Sequence, residues 1–91
     1  MIKNLSLRIG QPTEEVSPKN GKKFTLEELK AFIGGGYLES VFLCDYILFC
    51  DEEGKIKNLP YNDSATQLIS EYGMVDFICG DCLLCHKSMV D

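Results

Sequence analysis

The stretch FTLEELKAFIGGG, residues 24–36, specifies both ends of a helix. Thr25 can accept a hydrogen bond from the N–H three residues on, and Glu28 can reach back to the N–H of Thr25, the reciprocal arrangement of a capping box. Phe24 and Leu29 hold the two positions of a hydrophobic staple. Leu26, Leu29 and Ile33 recur at helical spacing and predict one apolar face, and the glycines at 34–36 supply the stop. A glycine run can also cradle a phosphate, but it then precedes a helix N-terminus. This one follows a helix, so the stop is the better reading. A helix this short must lay its apolar stripe on another element, and the remaining sequence offers mostly strands.

Ile2, Leu5, Leu7 and Ile9 are apolar, with Asn4, Ser6 and Arg8 alternating with the last three, which predicts an opening strand over 2–9. Residues 10–23 are loop-rich, with a short strand expected near Val16. YLESVFL (37–43) and YILFC (46–50) read as a hairpin about Cys44 and Asp45. DEEG (51–54) is a turn, followed by a short strand over 55–58 that Pro60 ends. Ala65, Leu68, Ile69 and Tyr72 predict a second helix, with Ser64 and Gln67 as its capping box and Gly73 as its stop. The closing VDFICGDCLLCH (75–86) is β-compatible, with a strand over 76–86. The expectation is one α+β domain over 1–91, a mainly antiparallel sheet of four or five strands with helices over 25–33 and 63–72. Leu26, Leu29, Ile33, Val41, Phe42, Ile47, Phe49, Leu68, Ile69, Ile78 and Leu84 are its core candidates.

The chain has 91 residues, 45% of them hydrophobic, which permits a modest core without disulfides or metal. A formal charge of −5 argues against a basic nucleic-acid footprint. No apolar run approaches the ~20 residues of a membrane span, and MIKNLSLRIG lacks the apolar core of a secretory signal. The expectation is a cytoplasmic protein whose five cysteines are free thiols or ligands rather than disulfides.

ICGDCLLCHK (78–87) crowds Cys79, Cys82, Cys85 and His86 together. Residues 82–86 match the Cys-x-x-Cys-His of covalent haem attachment, and the four residues together could be most of a zinc site. Haem attachment normally occurs outside the cytoplasm and needs an export signal. On a strand, Cys82 and Cys85 point to opposite faces. Cys79 and Cys85 share a face but stand roughly 20 Å apart, whereas zinc–sulfur bonds are about 2.3 Å. A turn at Gly80 and Asp81 could still gather these ligands, with Cys44 or Cys50 from the hairpin. The reading that demands least is packing, since a buried free cysteine behaves as a small hydrophobe. Cys–His catalysis needs the pair to meet in space, and neighbours on a strand face apart.

The order FTLEELKAFIGGGYLESV, DEEGKIKNLPYNDSAT, VDFICGDCLL resembles the domain-of-unknown-function 3846 family over about residues 24–85. Glu52, Glu53, Gly54 and Lys55 match its acidic-glycine turn. Leu59, Pro60, Asn62, Ala65 and Thr66 match the block that follows. Asp76, Ile78, Gly80, Asp81 and Leu83 match the terminal strand. Asp51 stands where the family pattern has asparagine. The resemblance implies a small α+β protein of bacteria, phages, plasmids and other mobile elements, with thiols outside the shared motif, and it carries no biochemical activity.

The functional expectation is therefore a non-enzymatic binding module for a protein or small molecule, without a cofactor and with homodimerisation left open. The neighbouring carboxylates Glu52 and Glu53 lack the separation that divides acid from base. If the protein binds a ligand or partner, the turn and strand at 51–62 should contribute through Glu53, Lys55 and Asn62. The structural alternative has Gly54 there for a positive φ, Pro60 as a strand stop and Asn62 as a helix cap. Two further alternatives are an anti-defence protein, as an inhibitor or small-nucleotide sponge, and a zinc domain built on Cys79, Cys82, Cys85 and His86.

Overall fold

The computed structural model describes residues 3–90, so Ile2 of the expected opening strand lies outside the described residues. Its elements are β1 (Leu5–Leu7), β2 (Glu14–Glu15), α1 (Leu26–Phe32), β3 (Leu38–Leu43), β4 (Tyr46–Asp51), α2 (Asp63–Glu71) and β5 (Cys82–His86). A 3₁₀ turn over Lys87–Met89 follows. The strands form one five-stranded sheet in the order β2-β1-β5-β4-β3, with every neighbour antiparallel. The β3–β4 hairpin closes with Leu43 opposite Tyr46, so Cys44 and Asp45 form the loop as expected.

The sheet is covered on both faces. Leu7, Leu43, Leu48, Cys50, Cys82 and Leu84 form one cluster with Ala65 and Ile69 of α2. Ile47, Phe49, Leu83 and Cys85 form the other with Phe24 and Leu29 at α1. The central strands β4 and β5 therefore bury consecutive residues on alternate faces, which explains continuous apolar runs in place of alternation. Cys82 and Cys85 are fully buried, one in each cluster.

Both helices, and the turn after β4, end in the same way. After α1, Gly35 N–H reaches the Lys30 carbonyl at 2.7 Å and Gly34, at φ 86°, reaches Ala31 at 3.3 Å. After α2, Met74 and Gly73 make the corresponding bonds to Ile69 and Ser70 at 3.1 and 3.0 Å. These paired bonds are the Schellman motif, whose left-handed residue glycine supplies without a Cβ penalty.

Several local expectations are corrected. Leu26 is 59% exposed: it opens the first turn, and Phe24, the staple partner, takes the core position beside Leu29. Phe42 is 71% exposed, because α1 packs over β5 and leaves the β3 end of that face uncovered. Val41 and Leu68 are only partly buried at the edge of the α2-side cluster. Residues 55–58 form turns rather than a strand. Leu59 N–H bonds the Gly54 carbonyl and Asn58 N–H bonds Lys55, with Asn58 left-handed at φ 56°, a third Schellman closure. The cap of α2 is Asn62, not Ser64, which lies inside the first turn. The last strand starts at Cys82, since Gly80 turns the chain at φ 93°.

Candidate functional site

The turn at 51–59 is built around a buried carboxylate. Asp51 Oδ1 accepts the Glu53 N–H at 2.8 Å, and Oδ2 accepts from Lys57 Nζ at 2.9 Å. Burial pushes the Asp51 carboxyl up, but the Lys57 ammonium and the Glu53 N–H outweigh it and leave it below the ordinary range. The carboxylate lies so close to Gly36 that a Cβ there would come within 2.3 Å of Oδ2. Gly54 answers to a similar constraint. It has no positive φ, contrary to the structural alternative above; a Cβ on it would stand 2.6 Å from the Cys79 carbonyl oxygen.

A strap at residues 74–81 closes against this turn. Asn62 N–H donates to the Ile78 carbonyl at 2.8 Å, and Gly80 N–H donates to Pro60 at 2.7 Å. Ile78 N–H donates to Thr66 Oγ1 at 2.9 Å. The Asn62 side chain, 3% exposed, accepts from Ala65 N–H at 2.9 Å. Its amide also donates to the Leu7 and Gly80 carbonyls at 2.9 and 2.8 Å. Asp81 Oδ1 accepts the Ile9 N–H at 2.8 Å, tying the lead-in of β5 to the end of β1. These bonds satisfy backbone groups that an irregular segment would otherwise leave unpaired.

The outer side of this seam is exposed and apolar. Tyr72, Met74, Val75 and Phe77 are all exposed, with Val75 fully so. Tyr61 stacks on Phe77 at a centroid distance of 6.2 Å, and Lys55 Nζ sits 4.2 Å over the Phe77 ring. Lys55 also pairs with Asp76 at 2.6 Å; that bond raises the lysine pKa and lowers the aspartate one. Behind these groups lies a cleft of about 230 Å³, walled by Glu39, Cys50, Lys55, Met74, Phe77 and Cys79 among others. Drug-sized ligands occupy about 300–1,000 Å³, so this cleft suits one or two side chains of a partner better. A larger open hollow of about 590 Å³ lies beside α1 between Arg8, Lys19 and Phe32. Its one part-buried carboxylate, Glu28, already accepts from Lys19 and Thr25 N–H at 3.0 Å each, which makes the hollow a consequence of helix capping.

The expected site residues divide accordingly. Lys55 lines the cleft, and Glu53 lies partly buried in the turn beside it. Asn62 is sealed beneath the seam, with both functional ends of its amide engaged. Cys79 borders the cleft, whereas Cys82 and Cys85 lie in different core clusters on opposite faces of the sheet. His86 Nδ1 accepts the Ser88 N–H at 3.1 Å, and its ring meets Tyr46 edge-on at 5.3 Å. Among the described residues, no three His, Cys, Asp or Glu side chains are placed to hold a metal ion. Burial pushes the Cys50 thiol up to about 12, with Glu39 adding to it, and pushes Cys85 up to about 11. Cys82 is also raised, first by burial. Such thiols stay protonated, the opposite of an activated nucleophile.

Asp76 and Phe77 did not emerge from sequence as surface groups because 76–86 reads as one strand, and Tyr61 and Val75 carried no signal of their own. Gly73, just before the strap, and Gly80, near its end, are the signal that it leaves the sheet; both are left-handed.

The fold and its seam define a small α+β domain with two helices on opposite faces of an antiparallel sheet. The chain belongs to the family described as domain of unknown function DUF3846, whose model matches residues 3–89. No curated protein and no solved structure matches the chain.

Proposed function

We propose that the protein is a non-enzymatic module that binds a partner protein through residues 74–77 of the strap, Tyr61 and the cleft behind them. The observation that carries this reading is the exposed Tyr61 and Phe77 stack with Lys55 over it, held on a segment pinned by buried hydrogen bonds. Exposed aromatic and apolar groups on a rigid support lose little conformational freedom on binding, the economy that interface anchors exploit. Phe77 is the anchor, Val75 and Met74 widen the apolar contact, and Lys55 with Asp76 supplies a polar rim. No helix among the described residues is long and apolar enough to cross a membrane. The setting we attach to this reading is the cytoplasm of a bacterium that carries a phage, plasmid or other mobile element.

The test is a photo-crosslinking amino acid at Val75 in the expressing cell, with the same group at Leu26 on α1 as the control. A discrete adduct from Val75, missing from Leu26 and lost on Phe77→Ser at unchanged melting temperature, is the expected result. Equal adducts from both positions, or one that survives Phe77→Ser, would refute the reading.

A further inference from the structure

The two edges of the sheet are treated differently. β2, at one edge, is two glutamates long, too short and too charged to recruit another strand. β3, at the other edge, is six residues, LESVFL, with no lysine, arginine or proline to blunt it. Its outward backbone groups follow from the hairpin. Tyr37 carbonyl accepts from Glu52 N–H at 2.8 Å, and Leu43 closes the loop opposite Tyr46. Antiparallel strands alternate their bonding direction, so Tyr37, Glu39, Val41 and Leu43 bond β4, and Leu38, Ser40 and Phe42 turn N–H and C=O outward.

We infer that β3 pairs with β3 of a second copy about a two-fold axis at Ser40, continuing the sheet across two chains. An antiparallel two-fold perpendicular to a sheet must pass a residue facing itself, because opposed side chains share a side. Tyr37, whose carbonyl accepts from Glu52 N–H, extends the paired stretch of the hairpin to 37–43; centring on Ser40 aligns all of it in both copies, whereas centring on Val41 overlaps only 39–43. At the Ser40 centre, the small hydroxyl side chain meets its own image. Phe42, 71% exposed in the single chain, lies over the partner's Leu38, itself part of the rim of the α1-side cluster. On the opposite face, Glu39 sits beside the partner's Val41 and not beside a second carboxylate. The one acidic residue of the strand thus avoids its own image, and the one large exposed apolar residue is covered. Such charge and shape self-complementarity favours a second copy over an unrelated strand. The perpendicular axis keeps like faces together, so the two α2-side clefts open on the same side of the joined sheet.

The experiment is the oligomeric state of the full chain by light scattering and sedimentation over a concentration series, with two variants. Ser40→Pro removes an outward N–H that makes no bond to β4, a position where an edge strand tolerates proline. Phe42→Lys places a charge in the cross-strand pair, twice per dimer, at a site exposed in the monomer. The expected result is a wild-type dimer, with self-association weakened at least about tenfold in both variants. Both should keep the wild-type circular dichroism spectrum. A wild-type chain that stays monomeric at millimolar concentration would overturn the proposal. So would a Phe42→Lys chain, folded as wild type, that dimerises with undiminished affinity.

Discussion

The two helices begin on caps of the same kind and use them for different ends. At α1, Thr25 Oγ1 accepts the Glu28 N–H at 3.2 Å and Glu28 Oε1 accepts the Thr25 N–H at 3.0 Å, in the open. Glu28 adds one reach beyond the helix, to Lys19 N–H at 3.0 Å; that bond and the Thr25 N–H hold its carboxyl below the ordinary range. At α2, Asn62 makes the corresponding local bond to Ala65, but it is buried and its amide holds the Leu7 and Gly80 carbonyls. A threonine hydroxyl has one proton to donate, whereas an asparagine amide has two beside its acceptor. The first cap starts a helix. The second also ties that helix to β1 and to the lead-in of β5.

The sharpest way to break this comparison is Asn62→Ala. It removes a cap worth about 1 kcal/mol and takes the amide donor from the Leu7 and Gly80 carbonyls at roughly 1 kcal/mol each, leaving Gly80 with the weaker Cys82 thiol. A loss of about 3 kcal/mol corresponds to a melting temperature lower by roughly 15 °C in a domain of this size. Asn62→Asp keeps the capping oxygen and sets a carboxylate against two carbonyls, so it should fare no better than alanine. A thermally normal Asn62→Asp protein would show that the cap alone matters. Gly54→Ala comes next at about 2 kcal/mol, because its Cβ must displace the Cys79 carbonyl from the seam. Thr25→Ala should lose only about 1 kcal/mol, with most of it restored in Thr25→Ser, since both hydroxyls accept the same bond. Denaturant midpoints at constant slope would rank all five variants.

The same contrast explains what was legible in the sequence. The α1 cap, its staple and its glycine stop lie within a dozen residues, so reading them requires no knowledge of the fold. The strand faces of β5 were legible too: the period of two separates Cys82 from Cys85, and the structure puts them in different clusters. Asn62 was read as a cap in the structural alternative and as a ligand amide in the functional one. What decides between them is Leu7, 55 positions away in sequence. Gly54 was assigned to a turn for its φ, and the real constraint is again distant, the Cys79 carbonyl. Phe42 and Leu26 failed for a related reason. Periodicity tells which side of an element is apolar, but not whether another element extends far enough to cover it. The strand expected at 55–58 was lost because a Schellman closure on Asn58 needs only a left-handed residue, which asparagine also provides.

Asp51 offers the smallest effect and the most specific signature, because it is the one charged member of the seam's buried interior. Its carboxyl sits below the ordinary aspartate value of 3.8 in the folded chain. A depressed folded pKa means that the ionised form favours the folded state. The contribution is complete above the unfolded value and is lost as pH falls through the folded one. Asp51→Asn can keep the acceptor for Glu53 N–H but loses both the charge and the acceptor oxygen that Lys57 uses. The Lys57 side chain is 42% exposed, so solvent screening holds the neutral-pH cost to about 1 kcal/mol or less. Urea midpoints of the two proteins should therefore differ slightly at pH 7 and converge as pH drops below the ordinary aspartate value. A gap that stays constant through that range would mean that the ionisation of Asp51 contributes nothing, and that the seam, like the α1 cap, is held by neutral hydrogen bonds alone.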